Sequence, residues 1–282
     1  MKEISLELLE KVIVERSRHS HKGDYGRLLL IGGTYPYGGA IIMAALASVR
    51  SGAGLVTVAT DKENIPPLHS HLPEAMAFDL DDKQLLEQQL KKASVVLVGS
   101  GLVDDERGEE LLHTVFHHLE QNQTLILDGG ALSILAKTEM KFPKAHLVLT
   151  PHQREWQVLS GLDLDAQGTE ETGEALKRFH TGTILVQKGP ATRIWQAGQT
   201  DCYQLSVGGP YQATGGMGDT LAGMIAGFAG QFPQASLYER VTVATHLHSA
   251  IAQELAEDNY VVLPTMISQH IPAFMKNIQK DT

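Results

Sequence analysis

Ser94-Val95-Val96-Leu97-Val98 runs directly into Gly99-Ser100-Gly101, and that pairing sets the pattern of the chain. The apolar residues are continuous instead of alternating, as expected for a parallel strand covered on both faces. The glycines then end the run in a turn. Outward from this stretch the pairing recurs. Residues 27–31 lead to Gly32-Gly33-Thr34, 124–127 to Asp128-Gly129-Gly130, 146–149 to Thr150-Pro151-His152, and 183–187 to Lys188-Gly189-Pro190. A further run covers 55–59. Helical patterns at 40–51, 82–92, 106–120, 132–137, 153–159 and 170–180 separate the runs. This alternation predicts an α/β fold, a single doubly wound, mostly parallel sheet with helices on both faces. Segments 192–196 and 202–207, joined by Ala197-Gly198-Gln199, predict an antiparallel hairpin at the sheet edge. Helices at 218–229, 237–256 and 264–276 complete the pattern. No Pro/Ser-rich linker, repeat or low-complexity tract intervenes, so residues 1–282 read as one domain.

Bulk properties narrow the function. A formal charge of −10 argues against non-specific binding to nucleic acid or to an anionic membrane. It leaves room for a phosphate-bearing ligand, because backbone N–H groups and a metal ion neutralise phosphates locally. Cys202 is the single cysteine, which rules out an intrachain disulfide and a thiolate zinc site and suits a reducing compartment. The first ten residues read as an acidic amphipathic helix instead of a signal peptide, and no apolar run reaches membrane-spanning length. A soluble cytoplasmic protein is the expectation.

Open α/β sheets bind ligands beyond the carboxyl ends of their strands. Here five such ends carry glycines or reactive side chains, which predicts a site spread along one edge of the sheet. The sharpest candidate lies further on, in Ala213-Thr214-Gly215-Gly216-Met217-Gly218-Asp219-Thr220-Leu221-Ala222-Gly223. A glycine turn before an apolar helix leaves N–H groups aimed outward at the positive end of the helix dipole. Asp219 reads in two ways there. It is either favourable first-turn charge on a capped helix, or a base that takes a proton from a hydroxyl while the N–H groups hold an arriving phosphoryl group.

The other candidates also carry paired readings. Gly38-Gly39-Ala40 is either a loop before a buried helix or a wall that lets a flat substrate approach the backbone. Asp128, costly if merely buried, could hold magnesium through water or cap the following turn. Lys188 could contact phosphate or simply sit at the surface. Among 13 histidines, His152 stands out by its place at a strand end. His113 and His117 are spaced i, i+4 without a His-Glu-x-x-His pattern, which favours a solvated or packed helix face over a zinc site. Gly223 and Gly227 suit close helix packing.

Taken together, these motifs resemble the ADP/ATP-dependent NAD(P)H-hydrate dehydratases of the ribokinase-like superfamily, over nearly the whole chain. The resemblance rests on His21-Lys22-Gly23-Asp24-Tyr25-Gly26, Gly38-Gly39-Ala40 with Met43-Ala44-Ala45, and Arg50-Ser51-Gly52-Ala53-Gly54-Leu55-Val56. Leu149-Thr150-Pro151-His152, Lys188-Gly189-Pro190 and the stretch from Ala213 to Gly223 complete it. It implies a repair enzyme that phosphorylates the hydroxyl of hydrated NADH or NADPH from ADP or ATP with Mg2+, then eliminates phosphate. By the same resemblance Asp219 is the base, and Gly216, Met217 and Gly218 form the anion hole. Lys188, Gly189, Pro190, Ala191, Thr192 and Gly218 would bind the adenine nucleotide. Ala40, Gly101, His152 and Asp219 would bind the hydrated cofactor. ADP is the expected donor and a homotetramer the expected assembly. Three positions depart from the family pattern. Asp128-Gly129-Gly130 lacks a second acidic residue, which leaves the metal ligands unassigned. His152-Gln153-Arg154-Glu155 lacks the usual Pro-Gly, and Gly208-Gly209-Pro210-Tyr211-Gln212 is an unusual approach to the anion hole. A small-molecule kinase of the same superfamily and a non-catalytic nucleotide sensor are the competing readings.

Overall fold

The computed structural model describes residues 1–280; Asp281 and Thr282, the last two of the expected domain, lie outside the described residues. Its strands are β1 (Arg27–Ile31), β2 (Leu55–Thr60), β3 (Met76–Asp79), β4 (Val95–Val98), β5 (Thr124–Leu127), β6 (His146–Leu149), β7 (Ile184–Gln187), β8 (Arg193–Gln196) and β9 (Tyr203–Gln204). They form one nine-stranded sheet in the order β3-β2-β1-β4-β5-β6-β7-β8-β9. Strands β1 to β7 are parallel. β8 and β9 add an antiparallel edge. The winding reverses between β1 and β4, the switch point at which such sheets open a ligand crevice. Ile31 pairs with Val98, Val98 with Leu127, and Leu127 with Leu149, so the carboxyl ends of these strands lie level.

Side chains alternate between the two faces of each strand. Leu28, Leu30, Val95, Leu97, Ile126 and Val148 point to one core, packed by α1 (Leu6–Val12), α2 (Gly38–Arg50), α3 (Ile65–His71), α9 (Met217–Ala229), α10 (Leu237–Leu255) and α11 (Pro264–Lys280). Leu29, Ile31, Val96, Val98, Leu125 and Leu149 point to the other. There α4 (Lys83–Lys92), α5 (Glu106–His118), α6 (Gly129–Lys137), α7 (Gln153–Ser160) and α8 (Thr169–Leu176) cover them. The expected doubly wound sheet is therefore present, with helices on both faces. Gly223 allows α9 to press on α2: a Cβ there would stand 2.1 Å from the Ala44 carbonyl oxygen, and Ser48 Oγ instead donates to Gly223 O at 2.9 Å.

Several expectations need correction. β3 and α3 have no counterpart among the predicted elements. β3 is a short edge strand with Met76 48% exposed, so it lacks the continuous apolar signal. α3 contains Pro66 and Pro67, which read as a loop but are tolerated in a first helical turn. α8 stops at Leu176, four residues early, because Lys177, Arg178 and Phe179 bond three residues back in tighter turns. The amino-terminal helix begins only at Leu6, capped by Ser5. Ahead of it Lys2 pairs with Tyr203 beside the short β9. Among the described residues no helix is long and apolar enough to cross a membrane.

Candidate active site

Gly216 opens α9 with φ at 92°, a left-handed conformation that glycine adopts without strain. The first helical bond to it comes from Thr220 N at 3.0 Å. The N–H groups of Met217 and Gly218 precede that bond and are not consumed by the helix. Lys188 lies over them: its Nζ would be 3.3 Å from a Cβ placed at Gly218. Its backbone is tied down where Lys188 N donates to Pro151 O at 2.9 Å. Its ammonium donates to Asp128 Oδ1 at 3.0 Å, and Thr150 Oγ1 donates to the same oxygen at 2.6 Å. Burial would pull the Lys188 ammonium down, but Asp128, Glu155 and Asp219 outweigh it and hold its pKa above the usual value. Lys188 is thus a fixed cation at the helix terminus, not a free surface lysine. Asp128 makes no cap bond to α6, so the capping role is also set aside.

Asp219 sits in the first turn of α9. Burial, reinforced by the charge of Asp128, pushes its carboxyl up to about 6. The Ser100 hydroxyl and the Lys188 ammonium partly offset the rise. Among the described residues the buried Ser100 Oγ is otherwise without a hydrogen-bond partner. A carboxylate with that pKa is mostly ionised at neutral pH yet a better proton acceptor than an ordinary aspartate. Beneath the same turn, burial holds His248 down at about 4, so its ring is neutral.

The flanks of the site carry the remaining sequence candidates. Ala40 and Gly101 share one wall: a Cβ on Gly101 would meet Ala40 Cβ at 2.9 Å and Tyr37 O at 2.4 Å. Thr34 N donates to Gly101 O at 2.9 Å and joins the β1 loop to the β4 loop across the switch point. On the other flank His152 opens α7. Its Nδ1 accepts from Arg154 N and Glu155 N at 3.2 and 3.1 Å, while His152 N donates to Glu155 Oε2 at 2.7 Å. This reciprocal box fixes the orientation of the ring, with Nδ1 turned toward the helix N–H groups. Gly189, Pro190 and Ala191 form the exposed turn between β7 and β8, closed where Thr192 Oγ1 donates to Gly189 O at 3.3 Å.

The structure therefore gathers Gly216, Met217, Gly218, Asp219 and Lys188 at one point, with Ala40 and Gly101 to one side and His152 to the other. Sequence reading gave no role to Ser100, Thr150 or Glu155. Ser100 and Thr150 lay in strand-end clusters already singled out, and Glu155 stands three residues after a helix-opening polar residue, the spacing of a capping box. Among the described residues no group of three or more His, Cys, Asp or Glu is placed to hold a metal ion. His113 faces Glu109 at 3.9 Å on an exposed helix surface, as its spacing suggested.

A doubly wound sheet whose switch point faces an aspartate in the first turn of a glycine-opened helix defines the ribokinase-like class. A ribokinase-like superfamily protein from Enterococcus faecalis shares the fold at a TM-score of 0.92 and 41% identity, over 99% of this chain and 96% of that one. The family model described as NAD(P)H-hydrate dehydratase matches residues 28–273, and the chain belongs to that family. It is 72% identical to the ADP-dependent (S)-NAD(P)H-hydrate dehydratase of Streptococcus pneumoniae, over 99% of this chain and 96% of that protein. An ADP/ATP-dependent NAD(P)H-hydrate dehydratase from Bacillus subtilis, co-crystallised with ATP and Mg2+, has a TM-score of 0.83 at 27% identity, with 97% of each chain covered.

Proposed function

We propose that this chain dehydrates hydrated NADH and NADPH at the expense of ADP and returns the reduced cofactor. The observation that carries this reading is Asp219, a carboxylate raised to about 6 beside unspent helix N–H groups and the Lys188 ammonium. Asp219 takes the proton of the ring hydroxyl, whose oxygen attacks the terminal phosphorus of ADP as the bond to AMP breaks. The N–H groups of Gly216, Met217 and Gly218, with Lys188, stabilise the charge on the transferring phosphoryl group. Phosphate then leaves with the C–O bonding electrons, pushed by the ring nitrogen, and loss of a proton from the neighbouring carbon restores the double bond. Lys188, Gly189, Pro190, Ala191, Thr192 and Gly218 hold the nucleotide, and Ala40, Gly101, His152 and Asp219 hold the hydrate.

The donor set fits a Mg2+ that arrives on nucleotide phosphates, since this ion needs only one or two carboxylates beside phosphate and water. Asp128, beside the Lys188 ammonium, is the carboxylate at hand for it, and the ion would supply shielding of phosphate charge, leaving Asp219 free as the base. We take residues 1–282 as one catalytic domain, a reading supported by the single sheet. A cytoplasmic homotetramer completes it, supported by the lone cysteine for the compartment and by family resemblance for the assembly.

The test is an absorbance assay on hydrated NADPH with Mg2+ and either ADP or ATP. The expected result is recovery of reduced-nicotinamide absorbance with ADP. Nucleotide consumption on other substrates without such recovery would give the site to a kinase, and tight nucleotide binding without turnover would give it to a sensor.

A further inference from the structure

A cavity of about 300 Å³ lies between α6 and α7, beside His152 but on the opposite face of the sheet from α9. Its volume is at the lower end of the range for small-molecule pockets. Leu132, Ala136 and Val158 give it apolar walls, and Val158 is 62% exposed, an apolar side chain left uncovered. Most of the charges at its rim are already committed. Lys137 is ion-paired with Asp104, and Glu155 is held by His152, whose Nε2 stands 3.4 Å from Glu155 Oε1. The exception is Arg154, whose guanidinium makes no hydrogen bond or ion pair among the described residues. An uncommitted guanidinium beside an apolar seat complements a nucleoside whose flat base fills the seat and whose ribose carries an anionic group.

A dinucleotide substrate offers such a group. With its nicotinamide half at Asp219, near the ends of β4 and β5, its other half has an open course along the strand ends toward β6. Adjacent strands are about 4.8 Å apart, so His152 at the end of β6 lies one or two spacings away, within reach of a pyrophosphate linkage. We propose that the α6–α7 cavity seats the adenosine end of the hydrate, and that Arg154 binds the 2′-phosphate present in NADPH hydrate and absent from NADH hydrate. Arg154 is then a specificity-determining residue. The assignment rests on the reaction proposed above.

Initial rates on both hydrates, for the wild-type protein, Arg154→Ala and Arg154→Lys, test it. Arg154→Ala should raise KM for NADPH hydrate about tenfold, the loss of one charge-assisted contact, and change that for NADH hydrate far less. Arg154→Lys should recover part of the difference. Equal shifts for the two hydrates, or none for either, would overturn the assignment. Calorimetry with ADP-ribose and 2′-phospho-ADP-ribose, with saturating AMP in the nucleotide site, separates this pocket from the reaction. Tighter wild-type binding of the phosphorylated form, lost in Arg154→Ala, supports the pocket even if dehydration fails. Equal binding of the two forms by the wild-type protein refutes it even if dehydration holds.

Discussion

The base role proposed for Asp219 asks two things of it at once: to be charged enough to accept a proton, and buried enough to want one. With its pKa pushed up to about 6, it is protonated below that pH and cannot act as base there. The expected pH profile of kcat/KM therefore rises through about pH 6 to a plateau, with the acid limb belonging to the free enzyme. A profile that stays flat down to pH 5 would count against this assignment. At this scale the sequence was informative about types and poor about pairings. A glycine turn before an apolar helix marks Asp219 as unusual. Nothing local marks Lys188 and Asp128 as partners, since they are 60 residues apart and meet only because β6 alone separates β5 from β7.

Helix α9 uses its glycines for two different purposes, and substitution separates them. Gly218 faces the site, where an added Cβ would meet only the tip of Lys188 at 3.3 Å. Gly218→Val should leave stability nearly unchanged and weaken ADP binding at least tenfold, by filling the place of a phosphate oxygen. Gly223 faces α2, where the same addition would strike the Ala44 backbone at 2.1 Å. Gly223→Val should cost roughly 1–3 kcal/mol or more of stability, as overpacking does, whatever its effect on the nucleotide. Denaturant unfolding and ADP titration of both variants check the pair; equal stability losses would contradict the division. Elements with strong periodicity, such as β4 and α9, were legible in the sequence to within a residue. β3 and α3 were not, because an edge strand has one face partly wet and Pro66-Pro67 gives the same local signal in a helix start as in a loop.

For the whole molecule, the decisive fact is strand order. The five runs that end in glycines or reactive side chains are β1, β4, β5, β6 and β7, and they are consecutive neighbours in the sheet. The sequence showed that those ends were unusual but could not show that they are adjacent, since order is set by which helices cross which face. The cavity beside Arg154 was illegible for the same reason, because it exists only where α6 and α7 lie side by side. The measurement that bears most directly on the site as a whole is turnover of hydrated NADPH by Asp219→Asn, with ADP affinity measured on the same preparation. Removing only the charge should lower kcat by about 10²–10⁴-fold, the usual contribution of a positioned base, while ADP binds within a few-fold of the wild-type protein. Near-normal turnover in that variant would contradict the assignment of Asp219 as the base.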